Sequence, residues 1–336
     1  MKKKSWNGMA RILLLCLVSL FLIAGCRETG TTSSSQTKTS YNFTDAQGTL
    51  IHMAAKPQRI VTLSMSTDEI ILGLVETGKM AAINKLLDDP VSSNIAVLAG
   101  EIPTKIGNPS IEEIVALSPD LIVVPDWGNI ENAAALRELG FKVAVCKGPK
   151  SIDEIKETIV LLAAAVGEPQ RGQVLLEKMD AKLEGIRKKV EQIVPAERKS
   201  IVLLSLMSSY GGRGCTFDDA CRLAGVTNAV SAAGIQNGQV MTKEQLVSMN
   251  PDILFLPTYS DHGKYDINSF RREYLEDSSL QSMKAVQKKQ LAEPREGYIY
   301  NCSQDIVFGV QEIAYMAYGD RFSQPGDCHL SALTDD

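Results

Sequence analysis

Apolar and polar positions along this chain fall into blocks whose period changes. Short apolar runs near residues 59–64, 80–84, 121–125, 142–146, 200–205, 253–256 and 290–292 have the length and continuity of strands buried on both faces. Between them, stretches near 67–77, 129–140, 151–166, 217–225 and 303–318 carry apolar residues at helical spacing. Strands alternating with helices in this way predict an α/β fold with mainly parallel sheets covered by helices.

One helix stands apart. Leu176, Met179, Leu183, Ile186, Val190 and Ile193 make a single apolar seam over 169–194, with Pro169 at its start and Pro195 at its stop. At 1.5 Å per residue it would reach about 39 Å, enough to run along two lobes. A coiled-coil dimer seam is the other reading. Gly172 and Gly185 inside three heptads make that marginal, so a monomer with an internal strut is expected.

The chain also repeats itself. Ile111-Glu112-Glu113-Ile114-Val115-Ala116-Leu117-Ser118-Pro119-Asp120-Leu121-Ile122-Val123-Val124-Pro125 recurs 132 residues later as Lys243-Glu244-Gln245-Leu246-Val247-Ser248-Met249-Asn250-Pro251-Asp252-Ile253-Leu254-Phe255-Leu256-Pro257. Each copy reads as a short amphipathic helix, a Pro-Asp turn that breaks it and a buried strand ending in proline. Arg59-Ile60-Val61-Thr62-Leu63-Ser64 is matched more loosely by Ser200-Ile201-Val202-Leu203-Leu204-Ser205. Two matches in the same order imply two pseudo-repeated lobes. The organisation expected is a leader over 1–25, a tether over 26–40, a first lobe over 41–167, a connecting helix over 168–195 and a second lobe over 196–336.

The N-terminus sets the location. Lys2, Lys3, Lys4 and Arg11 precede an apolar run at 12–24, too brief to span a hydrocarbon core about 30 Å thick. It closes on Leu22-Ile23-Ala24-Gly25-Cys26, which resembles a bacterial lipobox with Cys26 as the lipidated residue; an ordinary secretory signal is the alternative. Residues 29–40 are Ser/Thr-rich without apolar periodicity and read as a flexible spacer. An extracytoplasmic body touching the membrane through its lipid alone follows.

Composition narrows the function. About 300 residues beyond the spacer, in a chain that is 44% hydrophobic, suffice for two cores. A net charge of −5 with no basic stripe argues against nucleic acid. Beyond Cys16 and Cys26 lie Cys146, Cys215, Cys221, Cys302 and Cys328, with no CxxC pair. A Cys215–Cys221 loop and free thiols both remain open.

The lipobox, the tether, the repeated lobes and the single long helix together resemble the helical-backbone, class III solute-binding proteins of ABC importers. The Arg59–Ser64 and 111–123 motifs and Met241-Thr242-Lys243-Glu244-Gln245-Leu246 carry the likeness, which covers roughly 41–320. It implies a binder rather than an enzyme, needing no cofactor of its own and handing a metal chelate to a dimeric permease with ATPase subunits. A ferric siderophore ranks first as ligand, with a corrinoid or haem second. It also implies that Glu112 and Glu244, at equivalent positions of the two lobes, dock onto arginines of the two permease subunits. Branches for bare zinc or manganese need several imidazoles, and this chain has only His52, His262 and His329. His52 and His329 lie away from the expected cleft, and His262 reads most simply as a solvated loop residue.

In open α/β sheets, ligands collect beyond the carboxyl ends of the strands. The expected site residues are Ser64, Met65, Ser66, Gly107, Trp127 and Gly128 from the first lobe. The second lobe adds Met207, Tyr210, Arg213, Tyr259, Arg295, Tyr298 and Tyr300. The chain is only 6% aromatic, so rings gathered in glycine-flanked loops suggest flat walls for a macrocycle or catecholate. Arg213 and Arg295 either meet a charged ligand or serve structural ion pairs. A chelatase-like enzyme is the competing class, but no GxxxxGK[ST], HExxH or paired nucleophile and base is present.

Overall fold

The apolar runs become two parallel sheets. The structure, a computed structural model, describes residues 40–128, 130–259 and 265–334. A hairpin of β1 (Tyr41–Thr44) and β2 (Leu50–Met53) leads into β3 (Ile60–Thr62), α1 (Met65–Leu72), β4 (Met80–Asn84), α2 (Ala96–Ala99) and β5 (Lys105–Ile106). The first lobe continues with α3 (Ile111–Ala116), β6 (Leu121–Pro125), α4 (Glu131–Glu138), β7 (Val143–Cys146) and α5 (Ile152–Ala165). Its sheet runs β5-β4-β3-β6-β7, all parallel.

After α6 (Pro169–Val190) come β8 (Ser200–Leu203), α7 (Thr216–Leu223), β9 (Thr227–Asn228), α8 (Ala229–Ala232), α9 (Lys243–Met249) and β10 (Ile253–Phe255). The chain then forms α10 (Ile267–Leu275), α11 (Lys284–Gln287), β11 (Leu291–Ala292), α12 (Glu296–Ile299) and α13 (Ile306–Tyr318). The second sheet, β11-β10-β8-β9, is also parallel. The β1–β2 hairpin, β5, β9 and the four-residue helices had no sequence expectation; they are too short to show a period.

The repeat has a mechanical meaning. In the first lobe Asp120 donates its N–H to the Arg59 carbonyl at 2.9 Å, and its carboxylate accepts the Gln58 and Arg59 N–H groups at 2.7 and 2.9 Å. In the second, Asp252 donates to the Ser200 carbonyl at 2.9 Å and accepts the Ser200 N–H and hydroxyl at 2.8 Å each. One aspartate per lobe thus pins the start of the neighbouring strand and fixes register, Ile60 beside Leu121 and Ile201 beside Ile253. Alternate residues of these strands face opposite ways. Leu121, Val123, Ile201 and Leu203 join one core shared by both lobes and α6. Ile122 and Val124 face an outer cluster of the first lobe, Val202 and Leu204 one of the second.

The strut is shorter than its seam suggested. α6 ends at Val190, not at 194, giving about 33 Å over its 22 residues. Pro195 holds Val194 extended (ψ 144°), and the chain tightens into turns at Gln192 and Ile193 before it. Its buried face is Gly172, Leu175, Met179, Ile186 and Val190, with Leu176 and Leu183 half-buried. Gly172 is required there: a Cβ on it would lie 2.5 Å from that of Ala163 on α5. α6 packs on α5 of the first lobe and on α7 and α13 of the second. Cys146, Cys215, Cys221, Cys302 and Cys328 are all free, so the 215–221 loop is not bridged.

Candidate ligand cleft

The carboxyl-end loops of the two sheets converge. Met65 opens α1 directly after β3, and Glu69 on that helix accepts Asn301 Nδ2 at 2.8 Å. Asn301 follows α12, past the end of β11. Asn94 of the first lobe in turn donates to Asp305 Oδ2 at 2.8 Å. These groups are buried, so the lobes meet through polar side chains beside the cleft.

Several expected residues are exposed or half-buried in these loops. Trp127 is half exposed and lies over Gly148, where a Cβ would come within 3.0 Å of the ring; Asp126 holds that loop by accepting the Gly148 N–H at 2.8 Å. Gly107 and Gly128 share a small pocket of about 110 Å³ with Leu63, Asn108, Pro109, Val124 and Pro125. On the second lobe Met207 is half exposed, its N–H bonded to Ser205 Oγ at 3.0 Å. Tyr210 and Tyr300 pack with ring centres 5.1 Å apart. Tyr300 donates to Ser205 Oγ at 2.8 Å, and Tyr210 Oη lies 3.2 Å from Thr216 Oγ1. Burial raises both phenols above their usual value, so both stay neutral hydroxyls. Met65 and Ser66 are half-buried on α1. Tyr259 is half-buried too, its N–H held by Glu296 Oε1 at 2.9 Å. The loop beyond it, with His262, lies outside the described residues.

Others are engaged elsewhere. Ser64 is 9% exposed and caps α1, its hydroxyl accepting the Thr67 N–H at 3.3 Å. Tyr298 is 1% exposed and accepts the Cys328 N–H at 2.7 Å; it is core, not wall. Arg295 pairs with buried Glu312 at 2.7 Å, stacks over Tyr298 at 4.6 Å and donates to the Pro325 carbonyl at 3.1 Å. That is the structural ion pair of the two readings. Arg213 is exposed, donates to the Ser231 carbonyl at 2.8 Å and lines a flanking groove of about 530 Å³ with Lys150, Arg198 and Arg222.

Glu112 and Glu244 occupy second positions of α3 and α9 and are exposed. Their own N–H groups, with the hydroxyls of Ser110 and Thr242, hold both carboxyls below the usual range. The capping boxes are built by the next residue in each case, Glu113 with Ser110 and Gln245 with Thr242. A glutamine caps as well as a glutamate, so the second box forms without the charge of Glu113.

Sequence reasoning missed the polar joint and the burial of His329 in it. Its Nδ1 lies 2.7 Å from Asp305 Oδ2, buried between the lobes. The one available signal was the polar run Asn301-Cys302-Ser303-Gln304-Asp305 just ahead of an apolar helix.

Residues 60–296 match the family described as periplasmic binding protein. The chain belongs to that family. Curated members resemble it at low identity: a cobalamin-binding protein of Halobacterium salinarum is 23% identical over 220 residues, 65% of this chain and 58% of the relative. The match therefore spans little more than half of that relative's length. A vitamin B12-binding protein of Vibrio cholerae is 25% identical over 240 residues, 68% of this chain and 81% of that one. Among solved structures, a periplasmic haem-binding protein from Roseiflexus has a TM-score of 0.65 at 21% identity, covering 77% of this chain and 99% of its own. A molybdate-binding protein of Haemophilus influenzae reaches 0.67 at 17%, covering 84% and 92%. Both show the same two-lobed fold for this family member. No helix among the described residues is long and apolar enough to cross a membrane.

Proposed function

We propose that this chain is the extracytoplasmic solute-binding component of an ABC importer, tethered by a lipid on Cys26 beyond a cleaved leader at 1–25 and a spacer at 26–40. It captures a metal-centred macrocycle or chelate and passes it unchanged to a dimeric permease, docking through Glu112 and Glu244. The observation that supports this most is that half-exposed Trp127 of the first lobe, and half-exposed Met207 with the Tyr210–Tyr300 pair of the second, lie just past the carboxyl ends of two parallel sheets.

The same observation orders the ligands. With Arg295 neutralised by Glu312, these residues offer rings, a thioether and neutral hydroxyls rather than paired guanidinium groups. That suits a large, weakly charged corrinoid, the class named for the Halobacterium and Vibrio relatives. A ferric siderophore is the second reading, favoured by Lys150, Arg198 and Arg213 in the groove, where Asp218 also lies and Asp219 pairs with Arg222. Restoring uptake to a host lacking its own binding component, with the ligand recovered intact, tests the role.

A further inference from the structure

The last described stretch, 328–334, leaves the second lobe and returns to the first, fixed to three bodies on the way. The Cys328 N–H is held by Tyr298 at 2.7 Å, and the Leu330 N–H by Asp305 Oδ1 at 2.8 Å, both in the second lobe. In the first lobe Asn94 Nδ2 donates to the Cys328 carbonyl at 2.8 Å, and the Ala332 N–H to the Gly73 carbonyl at 2.8 Å, just past α1. Lys178 on α6 donates to the Ser331 and Thr334 carbonyls at 2.9 and 2.6 Å. At the centre, His329 sits against Asp305, which is completely buried.

We propose that residues 328–334 are a brace setting the angle between the lobes, pinned by His329 against Asp305, and that the pin is proton-operated: tight in mild acid, slack as pH rises. This goes beyond the transport role and needs no ligand.

The groups facing the joint are few. Asp68 and Glu69 come from α1, Cys302 and Asp305 from the segment before α13, and His329 from the brace; Asn94, Asn301 and Ser303 are neutral partners. Burial, then the charge of Asp305, pushes Glu69 up to about 7, against the opposing hydrogen bonds of Ser303 and Asn301 and the charge of His329. Burial works against a charged His329, but the charge and hydrogen bond of Asp305, with Glu69 behind it, raise it above 6.5. Asp68 is raised well above its usual value by burial and is bonded within its own lobe, to Thr62 and Asn84. The Cys302 thiol is raised to about 11 and stays neutral.

Both switching groups are raised on folding, so both contribute below their ordinary values and lose that contribution as pH climbs. Glu69 loses it from 4.5 through about 7, and His329 from 6.5 upward. As pH climbs, Glu69 on α1 gains a charge of the same sign as that of Asp305, and the imidazole gives up the proton that offsets it.

Amide hydrogen exchange on the unliganded full chain, corrected for intrinsic rates, tests this at pH 5.5 and 8.5. Protection in peptides covering 65–75, 298–306 and 328–334 should fall about tenfold or more in alkali. Strands β3 and β6 should keep theirs. Glu69→Gln retains an acceptor for Asn301 without a charge and should keep more of the joint's protection at pH 8.5. His329→Gln should be poorly protected at both values; if it does not fold, the parent and Glu69→Gln decide. Joint protection in the parent that tracks the strands at both pH values, or an unaltered pH profile in Glu69→Gln, overturns the proposal.

Discussion

Ser118 and Asn250, 132 positions apart, occupy the same point of the repeated unit and adopt the same left-handed backbone, φ 49° and 44°. Each ends a helix and turns the chain into the Pro-Asp that pins a strand. Left-handed geometry costs an ordinary L-residue about 1–2 kcal/mol, and asparagine bears it better than serine. Asn250 also accepts the Lys284 N–H on its side chain at 2.8 Å. Ser118→Gly is therefore expected to stabilise the protein by about 0.5–1 kcal/mol. Asn250→Gly should give no gain, because it orphans the Lys284 N–H. Urea midpoints at constant slope measure both.

Trp127 and Tyr210 should separate binding from packing. Trp127 is half exposed, so Trp127→Ala should weaken ligand binding by about 1–3 kcal/mol and leave the melting temperature nearly unchanged. Tyr210→Ala removes a ring packed on Tyr300 and should lower both affinity and melting temperature. Calorimetric titration beside thermal melts distinguishes the two patterns. Full affinity in both variants would move the site off these loops.

The strand-and-helix order, the two lobes and the strut were legible because long periodic segments and a near-verbatim repeat carry them. What could not be read was which polar side chains turn inward. Arg295 and Tyr298 look like loop residues, yet Glu312, on the apolar face of α13, draws the arginine in. His329 sits near the end of the chain, and only the return of the brace across Gly73 buries it. The seam of α6 placed Met179, Ile186 and Val190 on the buried face but missed Leu175, which is more deeply buried than its neighbour Leu176.

The proposed docking uses Glu112 and Glu244. Neither builds the capping box of its helix, so Glu112→Ala with Glu244→Ala should leave folding and ligand affinity nearly intact while uptake collapses. Each single change should give a partial loss. Raised salt should weaken the complex with the permease more in the parent than in the double variant, as screened rim charges require. Normal uptake by the double variant would contradict the role.

The proposed anchor is Cys26, which lies outside the described residues. Cys26→Ser is expected to lose lipid and to be released or left unprocessed. Fractionation with membranes as firm as the parent's would remove the lipid anchor from this account.

The central claim is that the cleft holds one intact metal-centred macrocycle or chelate. Titrating the mature chain with aquocobalamin, haemin and a ferric tricatecholate, following the ligand's visible spectrum because Trp127 is the one tryptophan beyond the leader, tests it most directly. The account predicts saturable one-to-one binding, tightest for the corrinoid, abolished or weakened by Trp127→Ala, with the ligand recovered unchanged. No saturable binding of any of the three, or a ligand returned without its metal, would contradict it.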